Sequence, residues 1–489
     1  MVGNSTLIDA SPEPASARYP EREGRQTACC IVGAGAAGAM LALLLARRGV
    51  PVILLEKHLD FERQFRGDSL HPSIMEVLDE IGLAGQLLKL PHTKAKRFSL
   101  QTKKGISLQT TDGVFTVADF SHLKTQYPYI TLLPQSEFLQ FITSEAARYP
   151  NFQLILGANV RELIEEDGVV RGVRYEAADG WHDVRALLTV GADGRSSHIR
   201  QAAGITPVKS SPPMDVLWFR LPREPGDPKG IGGRVSRGHI LALLDRSDYW
   251  QAGYVIPKGS HQQLRDAGLD ALRRSIVDIA PVFANRVGAL TDWKQIAFLS
   301  VESSHVPCWY RPGLLLIGDA AHVMTPIGGV GINYAIQDAV VAANVLAGPL
   351  KQGKVDLNDL AMVQCEREWS TRMIQAGQNL LQQQILASGV FEPDKPFTPP
   401  IFMRLPIVRS VFPRLMGRVI GMGIIPVHVH DGAHGPDYLA ATICRSTGRL
   451  RRQPPTRAWA SLVAGAVVIA VVIAVGALVR RAVANRRCR

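Results

Sequence analysis

Ala28-Cys-Cys-Ile-Val-Gly-Ala-Gly-Ala-Ala-Gly38 is an apolar run that breaks into three glycines, and Val52-Ile-Leu-Leu-Glu56 follows after the apolar stretch 39–48. The pattern predicts strand, glycine turn, helix, strand. Each glycine answers a physical need, with a tight turn at Gly33, close backbone approach at Gly35, and helix-to-sheet packing at Gly38. The helix N-terminus then faces a pyrophosphate, and Glu56 at the end of the second strand accepts from ribose hydroxyls. Ala37 and Lys57 complete the candidate contacts of this unit. A glycine turn alone does not separate FAD from NAD.

Outward from that unit, a second glycine-rich stretch runs from Gly313 to Ala339. It predicts a buried strand ending at Asp319, a loop through Pro326 and Gly328-Gly329-Val330-Gly331, and a helix from about Gly331. Such a loop lets backbone approach a large ligand without side-chain bulk.

The chain has 489 residues, of which 46% are apolar and 20% charged. This is a globular composition of two or three domains, which excludes wholesale disorder, collagen and coiled coil. The net charge is +12, but ten arginines and no acidic residue follow Asp437, so the rest of the chain carries only +2. Those arginines bracket Trp459–Val479, an uncharged apolar run of 21 residues. As a helix it spans roughly 32 Å, close to a bilayer core. The basic excess is therefore assigned to a membrane-flanking role and not to nucleic acid. Arginines on both sides leave the positive-inside rule undecided. The first 26 residues lack a signal-peptide apolar core, and the expectation is a C-terminal anchor with the catalytic part facing the cytoplasm. Six cysteines without a C-x-x-C pair fit a reduced compartment and no metal site.

Three motifs in order identify a resemblance. They are the glycine turn ending at Glu56, the segment Gly191-Ala-Asp-Gly-Arg-Ser-Ser-His-Ile-Arg200, and Gly318-Asp319 with its loop. The chain resembles the group A flavoprotein monooxygenases, the FAD hydroxylases typified by 4-hydroxybenzoate hydroxylase, across about residues 28–345. The resemblance implies that Asp193 belongs to a motif associated with FAD and NAD(P)H, and that Asp319 holds the ribityl chain. It further implies that Arg66 approaches the FAD pyrophosphate and that Gln135 contacts the adenosine side. Pro326, Gly329, Gly331, the Ile332 amide and Asn333 are the expected contacts at the flavin ring. Chemically it implies that NADPH or NADH, a transient co-substrate, reduces FAD. O₂ then adds to give a C4a-(hydro)peroxide that hydroxylates or epoxidises a hydrophobic aromatic, quinone, polyketide or isoprenoid substrate. An isoprenoid reductase or desaturase that inserts no oxygen is the alternative, because it shares the same motifs. No catalytic base is assigned: His322 invites that role but is a structural member of the motif it resembles, and His71 is open to the same two readings.

The fold expected is α/β, a Rossmann-like FAD-binding domain with an inserted antiparallel-sheet substrate domain and a C-terminal transmembrane helix. Its divisions are a polar leader (1–26), an FAD-binding domain (27–95, 136–205 and 300–350) and a substrate domain (96–135 and 206–299). A helical region and linker (351–458), the membrane span (459–479) and a basic tail (480–489) complete it. Strand-like segments carry Trp218, Phe219, Tyr249, Trp250 and Tyr254, of which one or two are expected to line the substrate pocket. The stretch 404–427 mixes apolar residues with arginines and reads equally as a membrane-surface helix or as a basic helix with a solvated face. Nothing requires a protein partner, and the oligomeric state is left open.

Overall fold

A computed structural model describes residues 24–62, 68–102, 114–236, 239–387 and 406–430. The leader, Arg66, the apolar run 459–479 and the basic tail lie outside the described residues. The fold is mixed α/β with several sheets.

The strand Arg25–Val32 lies inside an eight-stranded sheet, parallel to Val52–Glu56 on one side and to Gly180–Gly191 on the other. Phe152–Leu156 and Leu314–Leu316 extend the parallel core outward in each direction. Its strands are apolar almost throughout, as expected where both faces are covered. The helices Ala36–Arg47, Gln135–Ala146 and Gly331–Lys351 pack together over it. Ala36–Arg47 begins three residues earlier than its apolar run suggests, because Gly35 itself is the N-cap. The segment Ile327–Lys351 is long and apolar enough to cross a bilayer, but 78% of its apolar window is buried inside the protein: it is a core helix.

A seven-stranded sheet forms the second layer, in the order Ala297–Leu299, Met214–Pro222, Tyr249–Pro257, His239–Asp245, Ile231–Ser236, Arg97–Thr102 and Val114–Asp119. It is antiparallel except between Ile231–Ser236 and Arg97–Thr102. Period-two alternation sorts its side chains. Leu217, Phe219, Leu241, Trp250 and Tyr254 face a core closed by the helix Leu269–Ile279, while Trp218, Ala242, Leu244 and Gln251 face a cavity. The helices His261–Asp266 and Leu269–Ile279 are separated at Gly268, whose φ is +85°.

The helix Pro406–Met422 packs one face on the strand Val114–Asp119. A Cβ on Gly417 would lie 2.1 Å from the Asp119 carbonyl oxygen, and one on Gly421 would lie 2.9 Å from Leu123. That face belongs to the protein interior and not to a membrane surface. The following segment is tied down by Asn344 Nδ2 and Arg48 Nη2, which donate to the carbonyls of His428 and His430, each at 2.8 Å.

Candidate active site

The glycine turn explains itself in atoms. Gly33 has φ of +100°, and a Cβ there would lie 2.6 Å from the Ala192 carbonyl oxygen. A Cβ on Gly38 would lie 2.0 Å from the Gly33 carbonyl oxygen and 3.2 Å from Ile31 Cγ2, so the helix sits directly on the turn. Gly35 meets nothing closer than 4.0 Å, which leaves its cavity side open. The helix Ala36–Arg47 starts with no side-chain cap, and its first amides are left for a ligand. Glu56 is buried, and its carboxylate accepts from the Ala34 amide at 3.0 Å and the His58 amide at 3.1 Å. It therefore braces the turn while lining the cavity beside Ala37 and Lys57.

Three loops stack at the strand ends. The Ala192 amide donates to Val32, and the Ile317 amide to Gly191. The strand expected to reach Asp319 stops at Leu316, and Asp319 sits in the 3₁₀ turn Gly318–Ala320, half-buried at the cavity wall. That turn is braced from behind. Asp338 accepts from the Gly318 amide at 3.0 Å, from His322 Nε2 at 2.6 Å and from Arg367 Nε at 2.8 Å. Burial works to raise the Asp338 carboxyl, but His322 and Arg367 outweigh it and hold it below the ordinary carboxylate range. Arg200 Nη1 donates to the Ala320 carbonyl at 2.9 Å, joining the second motif to the third. His322 is thus a brace, as its motif implied.

Asp193 also lines the cavity, yet its carboxylate caps the short helix His198–Ala202. It accepts from Ser197 Oγ at 2.5 Å and from the amides of His198 and Ile199 at 2.7 and 3.0 Å. Gln135 opens the helix Gln135–Ala146 and lines the cavity; its Oε1 is buried without a partner among the described residues.

Pro326, Gly329, Gly331 and Ile332 line the cavity, and Gly328 and Gly329 have φ of +81° and +63°. The helix Gly331–Lys351 also starts without a side-chain cap, leaving its first-turn amides for a ligand. Asn333 is a correction. Its Nδ2 donates to the carbonyls of Ser69 and Gly329, both at 3.0 Å, and its Oδ1 accepts from the His71 amide at 2.8 Å. This buried side chain fastens the loop to the neighbouring strand and does not line the cavity.

All of these walls bound one cavity of about 800 Å³. Its other end is apolar, lined by Phe98, Phe120, Trp218, Ile231, Leu244 and Phe298. Of the five aromatics singled out from the sequence, Trp218 alone is there. Phe219, Trp250 and Tyr254 are core, and Tyr249 lies under the Arg220 guanidinium. Buried without partners among the described residues are Trp218 Nε1 and, on the cavity wall, Thr325 Oγ1. Sequence reasoning missed a buried cross-link at the junction. Arg246 Nη2 donates to Asp68 Oδ2 at 2.6 Å, its Nε donates to Gln251 Oε1 at 3.0 Å, and Asp68 also accepts from the Gln135 amide. Burial nevertheless raises the Asp68 carboxyl. Among the described residues no His, Cys, Asp and Glu cluster could hold a metal ion.

Residues 26–373 match the FAD binding domain family. A 6-methylpretetramide 4-monooxygenase from Streptomyces rimosus is 33% identical, over 81% of this chain and 93% of its own length. Among solved structures, the p-nitrophenol 4-monooxygenase of Pseudomonas putida superposes with a TM-score of 0.62 at 19% identity, covering 88% of this chain and all of that one. An aklavinone-11 hydroxylase solved with FAD and aklavinone gives 0.62 at 21% identity, over 78% of this chain and 73% of its own.

Proposed function

The chain belongs to the FAD-dependent monooxygenase family related to 4-hydroxybenzoate hydroxylase, and we propose that it oxygenates a hydrophobic aromatic polyketide held beneath the seven-stranded sheet. As a member of that family it is an oxidoreductase that uses FAD, NAD(P)H and O₂. Oxygen insertion is favoured over the reductase or desaturase alternative, since the relatives named above are monooxygenases and a hydroxylase.

The observation that carries the proposal is a single cavity with a dinucleotide cradle at one end and an apolar roof at the other. The residues present fit FAD. Gly35 is open where a pyrophosphate must come close, two helices begin uncapped toward the cavity, and Gln135 Oε1 lacks a donor. When bound, FAD takes two electrons from NAD(P)H and activates O₂, delivering one oxygen atom to the substrate and the other to water.

The protein's own residues supply position and field. The first amides of Ala36–Arg47 would hold the pyrophosphate; Arg66, its expected charged partner, lies outside the described residues. Glu56 would accept from the ribose, Lys57 and Asp193 would border the same end, Gln135 would meet the adenosine side and Asp319 the ribityl hydroxyls. The amides of Gly331 and Ile332 direct a helix N-terminus at the ring, where negative charge gathers on reduction. Phe98, Phe120 and Trp218 keep water out. Trp218 and Thr325, whose Nε1 and Oγ1 have no partner among the described residues, border the space for the substrate. The 33% identical relative, a 6-methylpretetramide 4-monooxygenase, supports a polyketide over a single-ring phenol.

The test follows NAD(P)H oxidation and O₂ uptake by FAD-loaded protein with polycyclic polyketide, single-ring phenol, quinone and isoprenoid compounds. The expected result is substrate-stimulated uptake with the polyketide set and one ¹⁸O atom in the product. Product formed equally without O₂ would overturn the reading. We also propose that 459–479, with its flanking arginines, anchors the chain in a bilayer. Its support is length and composition. A chain ending at His430 should leave the membrane fraction and keep its FAD; the same fractionation for both chains would sink the anchor.

A further inference from the structure

The helix Leu357–Ala387 buries a polar stripe. Gln364, Arg367, Thr371, Gln375, Gln378 and Gln382 recur at helical spacing and are all nearly inaccessible. Such a stripe is unfavourable unless its groups find partners, and two of its glutamines find them in backbone carbonyls at or beside the cavity wall. Gln375 Nε2 donates to Ser304 and Val323, both at 2.9 Å, while Gln378 Nε2 donates to Thr325 at 3.0 Å and Ile327 at 2.8 Å. Asn333 continues the series at Gly329. Every second carbonyl from Val323 to Gly329 is thus held by a side-chain amide.

Val323, Thr325, Pro326 and Gly329 line the cavity, whereas Gln375, Gln378 and Asn333 do not. The carbonyls of Val323 and Thr325 therefore accept from behind the wall, and the negative ends of their dipoles point away from the cavity. A carboxamide is suited to this role, since one NH₂ group offers two donors and can satisfy two acceptors at once.

We propose that Gln375 and Gln378 are positioning residues for the flavin ring: by holding these carbonyls outward they fix the wall beside the ring and keep acceptor oxygens off it, which favours the reduced, anionic state. This rests on the FAD site proposed above. It adds that the redox behaviour of the cofactor is set by a helix that does not touch it. Deprived of its donor, a carbonyl is free to rotate toward the cavity, where it opposes negative charge.

The test compares Gln378→Met, Gln378→Glu and Gln375→Met with wild type. FAD is titrated into apo-protein, the midpoint potential of the bound flavin is measured, and thermal unfolding of the apo-proteins is followed. Gln382→Met is the control, since Gln382 is buried on the same stripe but its Nε2 has no partner among the described residues. The expected result is at least fivefold weaker FAD binding and a more negative potential in the Gln378 variants. The glutamate should be worse than the methionine, because it keeps the shape but faces two carbonyls with acceptors. Gln375→Met should move both readouts the same way, and it serves if Gln378→Glu does not fold. Gln382→Met should leave both unchanged. Variants within twofold of wild type in affinity with an unshifted potential would overturn the proposal, as would a control that moves them equally. Wild-type protein that fails to bind FAD at all would overturn the FAD site as well, so the two failures are distinguishable.

Discussion

Glu56 has one carboxylate turned to two purposes, holding the Ala34 and His58 amides while presenting its edge to the cavity. Charge-assisted hydrogen bonds contribute about 1.5–3 kcal/mol each, so Glu56→Ala should weaken FAD binding by roughly ten- to a hundredfold; titration of apo-protein checks this. His71 is buried, with Nδ1 at 2.7 Å from the Ile420 carbonyl, and burial pushes it down from 6.5 to about 4. Between those values the unfolded chain binds more protons than the folded one, so stability rises with pH there and is lost as pH falls from about 6.5 to about 4. The amount is on the order of 3 kcal/mol. Melting temperature against pH should drop across that window and do so less steeply in His71→Asn; His305, likewise pushed down to about 4, keeps some slope. At this scale the sequence was informative where a backbone demand selects the residue. Gly33, Gly38 and Glu56 announce themselves by spacing. Asn333 did not, because its partners Ser69 and His71 lie more than 260 positions away.

The elements were legible wherever periodicity is long and pure. The strands Arg25–Val32 and Val52–Glu56 and the helix Gly331–Lys351 follow from apolar runs bounded by glycine. Alternation also separated Trp218 from Phe219, but a period of two cannot say which face is roofed by a helix and which by a ligand. The helix Pro406–Met422 shows the same limit, since its glycines mark a docking face only once the strand Val114–Asp119 is beside it. A side chain at Gly417 must displace the Asp119 backbone, and overpacking of this kind costs about 1–3 kcal/mol. Gly417→Leu is therefore expected to lower the melting temperature and raise KM for the aromatic substrate while leaving FAD affinity near wild type. An unchanged KM would remove this helix from the substrate site.

Across the whole molecule, the seven-stranded sheet is tied to the segment entering the strand Ser69–Leu70 through Arg246 and Asp68, 178 residues apart and with no local signal in the sequence. Removing one partner of a buried ion pair costs about 3–5 kcal/mol, because the other charge stays behind. Asp68→Ala should lower stability by that amount in denaturant unfolding, and adding Arg246→Met should recover part of it. A double variant no better than the single would show that the stranded charge is not what the single variant loses. The long helix Leu357–Ala387 was expected as an element, but its glutamines gain meaning from the loop they hold. A last consequence follows from Ile420, which lines the cavity although most of the wall comes from far earlier in the chain. Translation runs from the N-terminus, and the early parts of a chain can fold while the rest is being made. The glycine turn emerges first, but the chamber stays open on one side until the ribosome has passed residue 420. The apolar chamber is therefore the last part of the cavity to be closed on the nascent chain, and a transcript cut short before that codon yields a protein with a cradle and no enclosed room.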